Sequence, residues 1–273
     1  LENVLMVNKI LDLDSNLFPE GLNNKEVVEI FGKVGLGKTE LLVHLIARCL
    51  MPKSWVIDLN KLTAIGNVSS NQSINVNLSE FSSIDQNEIP KVILIETESK
   101  FSMLRLYTIL ENRISLCLDK CNLNKEIFCS NQFQAMVKKF IKDRLKNLTV
   151  YRCSNNEQFI LALCASELLI QSLIANKTIS SVITPVFIDS VNSNFEIGDK
   201  YNHSIGLRDY DHTEKYAVQL IKKLINRYNI CLIGTRLDLR IGSNEYSSFR
   251  KWQSCVNKQI ELKEHILNKN NDQ

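Results

Sequence analysis

The residues best suited to chemistry stand in a row: Gly32-Lys33-Val34-Gly35-Leu36-Gly37-Lys38-Thr39. They fit the spacing Gly-x-x-x-x-Gly-Lys-Ser/Thr of a phosphate-binding loop. Glycines reach φ values that other residues resist, so successive backbone N–H groups can converge on anionic oxygens. The Lys38 ammonium can reach the β- and γ-phosphates of ATP, and the Thr39 hydroxyl can ligate Mg²⁺. A helix beginning at Thr39 adds free N–H groups and the positive end of its dipole. Gly32, Lys33, Val34, Gly35, Leu36, Gly37, Lys38 and Thr39 are therefore the expected ATP-binding residues.

Such a loop needs carboxylates opposite it. Val186-Phe187-Ile188-Asp189 is an apolar run ending in an acid, and strand ends of a parallel sheet face the ligand crevice. Asp189 is expected to hold Mg²⁺ with Thr39. A second run, Val92 to Ile95, leads into Glu96-Thr97-Glu98. Glu98 is the expected catalytic carboxylate, orienting a water toward the γ-phosphate. Glu96 shares its surroundings and stands as the alternative, and both also read as plain carboxylates at a loop edge.

The elements that must position these groups alternate. Strands are expected at Val27 to Phe31, Val92 to Ile95, Leu148 to Tyr151, Val182 to Ile188 and Ile230 to Gly234, with a last one at Gln259 to Leu262. Helices are expected from Thr39 to Leu50, Met103 to Cys117, Asn131 to Lys146, Glu157 to Ala175, Glu214 to Tyr228 and Phe249 to Val256. In the first, Leu41, Leu42, Leu45, Ile46 and Cys49 form one stripe. Strands alternating with helices imply βαβ units and a mostly parallel, twisted α/β sheet flanked by helices. Residues 1–25 read as a separate N-terminal segment, 26–262 as the main domain, and 263–273 as a tail. Residues 60–90, with Ser69-Ser70-Asn71-Gln72-Ser73, read as a flexible polar insertion.

Bulk properties narrow the class. The chain has 273 residues, 44% hydrophobic and 23% charged, as in an ordinary globular protein. A net charge of +3 is too small to argue for nucleic acid by itself. There are eight cysteines, none in a C-x-x-C pair, and several sit in apolar runs, so buried thiols in a reducing compartment are expected. Cys117 and Cys121 could share a helix face, but no partner pair follows at zinc-finger spacing. No apolar run reads as long enough to span a bilayer and no leader is read, so a soluble intracellular protein is expected. The opening Leu1 suggests an incomplete start.

Three segments carry a family resemblance. Gly37 to Cys49 resembles the phosphate loop and helix of RecA/Rad-type recombinase paralogues. Phe101-Ser102-Met103-Leu104-Arg105-Leu106-Tyr107-Thr108-Ile109-Leu110-Glu111-Asn112-Arg113 is a more specific match. Lys251-Trp252-Gln253 is similar to a lysine-alanine-tryptophan-glutamine segment in the family, with Arg250 and Lys251 replacing its first two residues. The likeness covers most of 26–262 and fails over 60–90 and part of 119–147. It implies a RecA-like P-loop ATPase core and homologous-recombination repair of double-strand breaks in the nucleus. It further implies a complex with the D-type recombinase paralogue, assisting recombinase filaments on single-stranded or branched DNA. Recombinases place a γ-phosphate-sensing glutamine where this chain has Arg236. An arginine can also contact phosphate, so Arg236 joins the expected ATP-binding residues. The family's C-terminal strands are mostly missing after Leu262.

The family's DNA loops correspond to Asn192 to Asp211 and Asp238 to Ser248, with Lys200, Arg208, Arg240 and Tyr246. Cations there can neutralise phosphates, but Glu196, Asp199, Asp209 and Asp211 oppose them, and plain solvated loops read equally well. Lys138, Lys139, Lys142, Arg144 and Lys146 read as a solvated helix face, and Trp252 as core. Three functions follow as hypotheses: an assembly subunit that binds ATP, an independent P-loop ATPase or small-molecule kinase, and a nucleotide-free scaffold.

Overall fold

A computed structural model of the chain describes residues 11–58, 73–121, 130–176, 183–193, 209–237 and 250–264. Six strands form one sheet: β1 (Val27–Gly32), β4 (Val92–Glu96), β5 (Leu148–Arg152), β6 (Thr184–Asp189), β7 (Ile230–Leu237) and β8 (Lys258–Leu262). Their order is β5-β4-β6-β7-β1-β8, and every pairing is parallel. Burial on both faces explains why β1, β4 and β6 read as continuous apolar runs rather than alternating ones. Pro185 lies within β6, but pairing with β4 begins only at Val186, so its missing N–H falls outside that ladder.

Helices cover the two faces. On one lie α1 (Lys38–Leu50), α2 (Met103–Asp119) and α3 (Asn131–Leu145), packed over Val28, Ile30, Leu94 and Phe187. On the other lie α4 (Asn156–Ala175), α5 (Asp209–Arg227) and a 3₁₀ helix at Arg250–Cys255, which bury Val27, Ile93, Ile95, Val186 and Ile188. Side chains of Ser102, Ser130 and Asn155 cap α2, α3 and α4 by accepting the N–H of Arg105, Phe133 and Gln158. In α3 the buried side is Phe133, Val137, Phe140 and Ile141, and Lys138, Lys139 and Lys142 form an exposed basic face, from which Arg144 departs by lying half-buried over the Phe140 ring at 5.1 Å.

The expected insertion is corrected over its described part. Ser73–Asn77 is a strand, β3, paired antiparallel with β2 (Ser54–Asp58) in a small second sheet. Val76, Leu78 and Ile84 are buried in the core, and Trp55 of β2 stacks on Phe140 at 4.2 Å. Residues 59–72 lie outside the described residues. Over its described part, residues 11–25, the N-terminal segment is likewise part of the same core: Leu11, Leu13, Phe18 and Leu22 are buried against it, and residues 1–10 lie outside the described residues. Helix α4 departs from another expectation, since Asn156–Ala175 is long and apolar enough, by length and composition, to cross a bilayer. Here its Phe159, Ala162, Leu163 and Ile170 pack on the sheet. Its buried Glu167 accepts hydrogen bonds from Lys223, Arg227 and Tyr228 of the neighbouring α5 segment.

Candidate functional site

The loop from Gly32 to Thr39 joins the carboxyl end of β1 to the first turn of α1. Gly35 and Gly37 have φ of 85° and 86°, a region that a side chain would strain, and Gly37 delivers the chain into α1. The Lys38 ammonium folds back over the loop and donates to the carbonyls of Gly32 (2.6 Å) and Lys33 (2.7 Å). Val34, at the loop's tip, is exposed.

Asp189 ends β6 at the same sheet edge. Its carboxylate accepts a hydrogen bond from Thr235 of β7, while its second oxygen, Oδ2, is buried without a hydrogen-bond partner. Burial pushes its carboxyl toward the protonated form, reinforced by the nearby Glu98 charge and opposed by the hydrogen bond from Thr235 and by the adjacent Thr39 hydroxyl. Thr39 and Asp189 are therefore together, as the sequence reading required. A buried oxygen with no partner, beside a hydroxyl, fits a hard cation. Among the described residues no three His, Cys, Asp or Glu side chains gather as a protein-only metal site. A Mg²⁺ ion here would draw its other ligands from phosphate and water.

The two glutamates at the end of β4 have different surroundings. Glu98 is mostly buried and forms an ion pair with Lys100. Glu96, directly opposite Asp189 in the strand register, is fully buried. One of its oxygens accepts the Lys100 N–H at 2.7 Å and the other has no partner. Glu96 therefore holds the turn that carries Glu98, whose own partner is the Lys100 ammonium. Between them Thr97 ties the strand ends together: it donates to the Ser190 carbonyl, accepts the Ser190 N–H, and shares a hydrogen bond with Ser193.

Arg236 is placed differently from the expectation. It sits in register with Phe31 of β1 and lies over that ring at 5.3 Å. Its Nε donates to the buried Glu29 carboxylate at 2.8 Å. The arginine expected to contact phosphate is thus bonded, in this structure, to the strand that leads into the loop. Glu29 and Thr235 were missed by the sequence reading. An acid inside the apolar run Val27 to Phe31 was the signal for the first, and a hydroxyl inside Ile230 to Leu237 for the second.

The resembling block at 101–113 also has a physical function. Arg105 pairs with Glu40, the residue after Thr39, and Arg113 donates toward His44 Nδ1 at 2.8 Å. Both arginines fasten α2 to α1 behind the loop. Lys200, Arg208, Arg240 and Tyr246, the expected DNA-contacting residues, lie outside the described residues, as do Glu196 and Asp199.

No family model matches the chain. Aligned with the DNA repair protein XRCC2 of Mus musculus, it is 24% identical over 234 residues, which is 85% of this chain and 64% of that protein. The chain is a relative of XRCC2. The likeness covers most of the chain, and with the parallel strand order it makes the fold a RecA-like α/β core. The strand of the phosphate loop and the strand of Asp189 are separated by β7, so Thr39 and Asp189 approach each other across the end of an intervening strand. This chain spans 64% of its relative's length.

Proposed function

We propose that the chain is an ATP-binding recombinase paralogue acting in homologous-recombination repair of DNA double-strand breaks. In this reading it works in the nucleus as a subunit of a paralogue complex, docking on the D-type paralogue and assisting recombinase filaments on single-stranded or branched DNA. One observation carries the proposal. The phosphate loop, Thr39 and the orphaned Asp189 oxygen converge in a chain related over 85% of its length to a DNA repair protein.

The chemistry follows from the residues. Backbone N–H groups from Gly35 to Thr39 would receive the phosphates at the positive end of α1. The Lys38 ammonium would exchange its two carbonyl partners for β- and γ-oxygens. Thr39 and Asp189 would hold Mg²⁺, which supplies charge neutralisation on the phosphates. Glu98 would orient a water, once released from Lys100. The Arg236–Glu29 pair supports an assembly role over fast turnover, because the position that couples γ-phosphate to DNA in recombinases is occupied by a side chain already bonded elsewhere.

The test is capture of the D-type paralogue by this chain with and without Mg·ATP, beside a steady-state ATPase assay. Capture strengthened by Mg·ATP in the wild type and not in Lys38→Ala, with little turnover by the isolated chain, is the expected result. Robust turnover alone, or capture indifferent to both nucleotide and Lys38, would reject the reading.

A further inference from the structure

A fully buried carboxylate lies under the phosphate loop and is satisfied entirely by side chains. Glu29 Oε1 accepts from Arg236 Nε (2.8 Å) and from Trp252 Nε1 (2.9 Å). Its Oε2 accepts from Gln259 Nε2 (2.8 Å) and from Arg236 Nη2 (3.4 Å). These donors come from β7, from the 3₁₀ helix at Arg250–Cys255 and from β8, whereas Glu29 lies on β1. The arginine is the partner that matches its charge, and an uncompensated buried charge is expensive. The same guanidinium covers Phe31, so two residues of β1 on one face, immediately ahead of Gly32, are held by one side chain.

We propose that Arg236 is a positioning residue for the phosphate loop, acting through Glu29 and not by contact with the γ-phosphate. The inference rests on the nucleotide-binding reading above and makes it more specific. A sensor that touches the γ-phosphate distinguishes ATP from ADP. A strut that fixes where β1 ends affects both nucleotides alike, because it sets the loop before any phosphate arrives. The charge match also means that removing Arg236 alone leaves Glu29 as the problem, and neutralising both relieves it.

The experiment compares wild type, Arg236→Gln and Glu29→Gln/Arg236→Gln in two measurements. The first is backbone amide resonances of Gly32, Gly35 and Gly37 without nucleotide. The second is calorimetric affinity for Mg·ATP and Mg·ADP. In Arg236→Gln the three glycine amides shift or broaden, and ATP and ADP weaken together by roughly tenfold, as for residues coupled through one hydrogen-bond network. The double variant restores both. If Arg236→Gln does not fold, a folded double variant with wild-type glycine amides carries the same conclusion. Unchanged glycine amides in Arg236→Gln, or loss of ATP binding with ADP untouched and no recovery in the double variant, overturns the proposal. A wild-type chain that binds neither nucleotide rejects the nucleotide reading instead, and the amide measurement still decides whether the strut shapes the loop.

Discussion

Asp189 is a costly residue in the free protein. Burial disfavours its charged form, and one of its oxygens has no partner. An acid whose folded pKa is raised above its ordinary value of 3.8 opposes folding increasingly as pH rises past that value. Asp189→Asn is therefore expected to raise the melting temperature at neutral pH without ligand, and to remove the further rise that Mg·ATP gives the wild type. Thermal melts in EDTA and in Mg·ATP check both halves. An equal ligand-induced rise in wild type and variant would deny Asp189 its cation role. Thiols give a second prediction at this scale. Burial, with the Glu96 charge, pushes Cys153 up to about 11, and burial pushes Cys231 up to about 12. Both should resist alkylation at pH 8 in the folded protein and react on denaturation, as mass spectrometry of labelled peptides would read.

Elements show where local pattern sufficed and where it did not. The loop, its strand and α1 were legible because an apolar run, glycines at fixed offsets and a helical stripe coincide within Val27 to Leu50. Strands β2 and β3 were not, since Ser73-Ile74-Asn75-Val76-Asn77 looks polar by composition. Its period of two, with Val76 buried and its neighbours out, becomes decisive only against Trp55 and Phe140. Arg236 was legible as a departure, but not its partner, because Glu29 lies about two hundred residues earlier. Gly234 on β7 shows the same dependence. A β-carbon there would stand 2.7 Å from Val191 Cγ1 and 3.1 Å from Trp252 Cζ2. Gly234→Ala should cost about 1–3 kcal/mol by overpacking, measured by urea unfolding. The seam of α4 and α5 makes a pH prediction. Hydrogen bonding from Lys223, aided by Tyr228 and the charge of Arg227 and opposed by burial, holds Glu167 below its ordinary 4.5. Its contribution is complete above that value and fades as pH falls through the lowered one. Glu167→Gln should thus destabilise by roughly 1–3 kcal/mol at pH 7, discounted for the exposed lysine and arginine, and by progressively less in acid.

At the scale of the whole molecule, residues 11–26, ahead of β1, belong to the domain and are not an appendage. Leu13 and Leu22 are almost completely buried, and Leu11 and Leu22 exchange backbone hydrogen bonds at 2.7 and 2.9 Å. Leu13→Ala should cost about 2–5 kcal/mol, as other core truncations do, and chemical denaturation would read it as one cooperative transition with the rest. The sheet order has a consequence for how the protein comes into being. β1 is paired only with β7 and β8 among the described residues. On a translating ribosome, its backbone would wait for Ile230 to clear the exit tunnel before finding any neighbour, many seconds after it was made at about 5–20 residues each second. The loop from Gly32 to Thr39, made about two hundred residues ahead of β7, would take shape only once β7 has emerged, and a nascent chain stalled before β7 should fail to retain ATP.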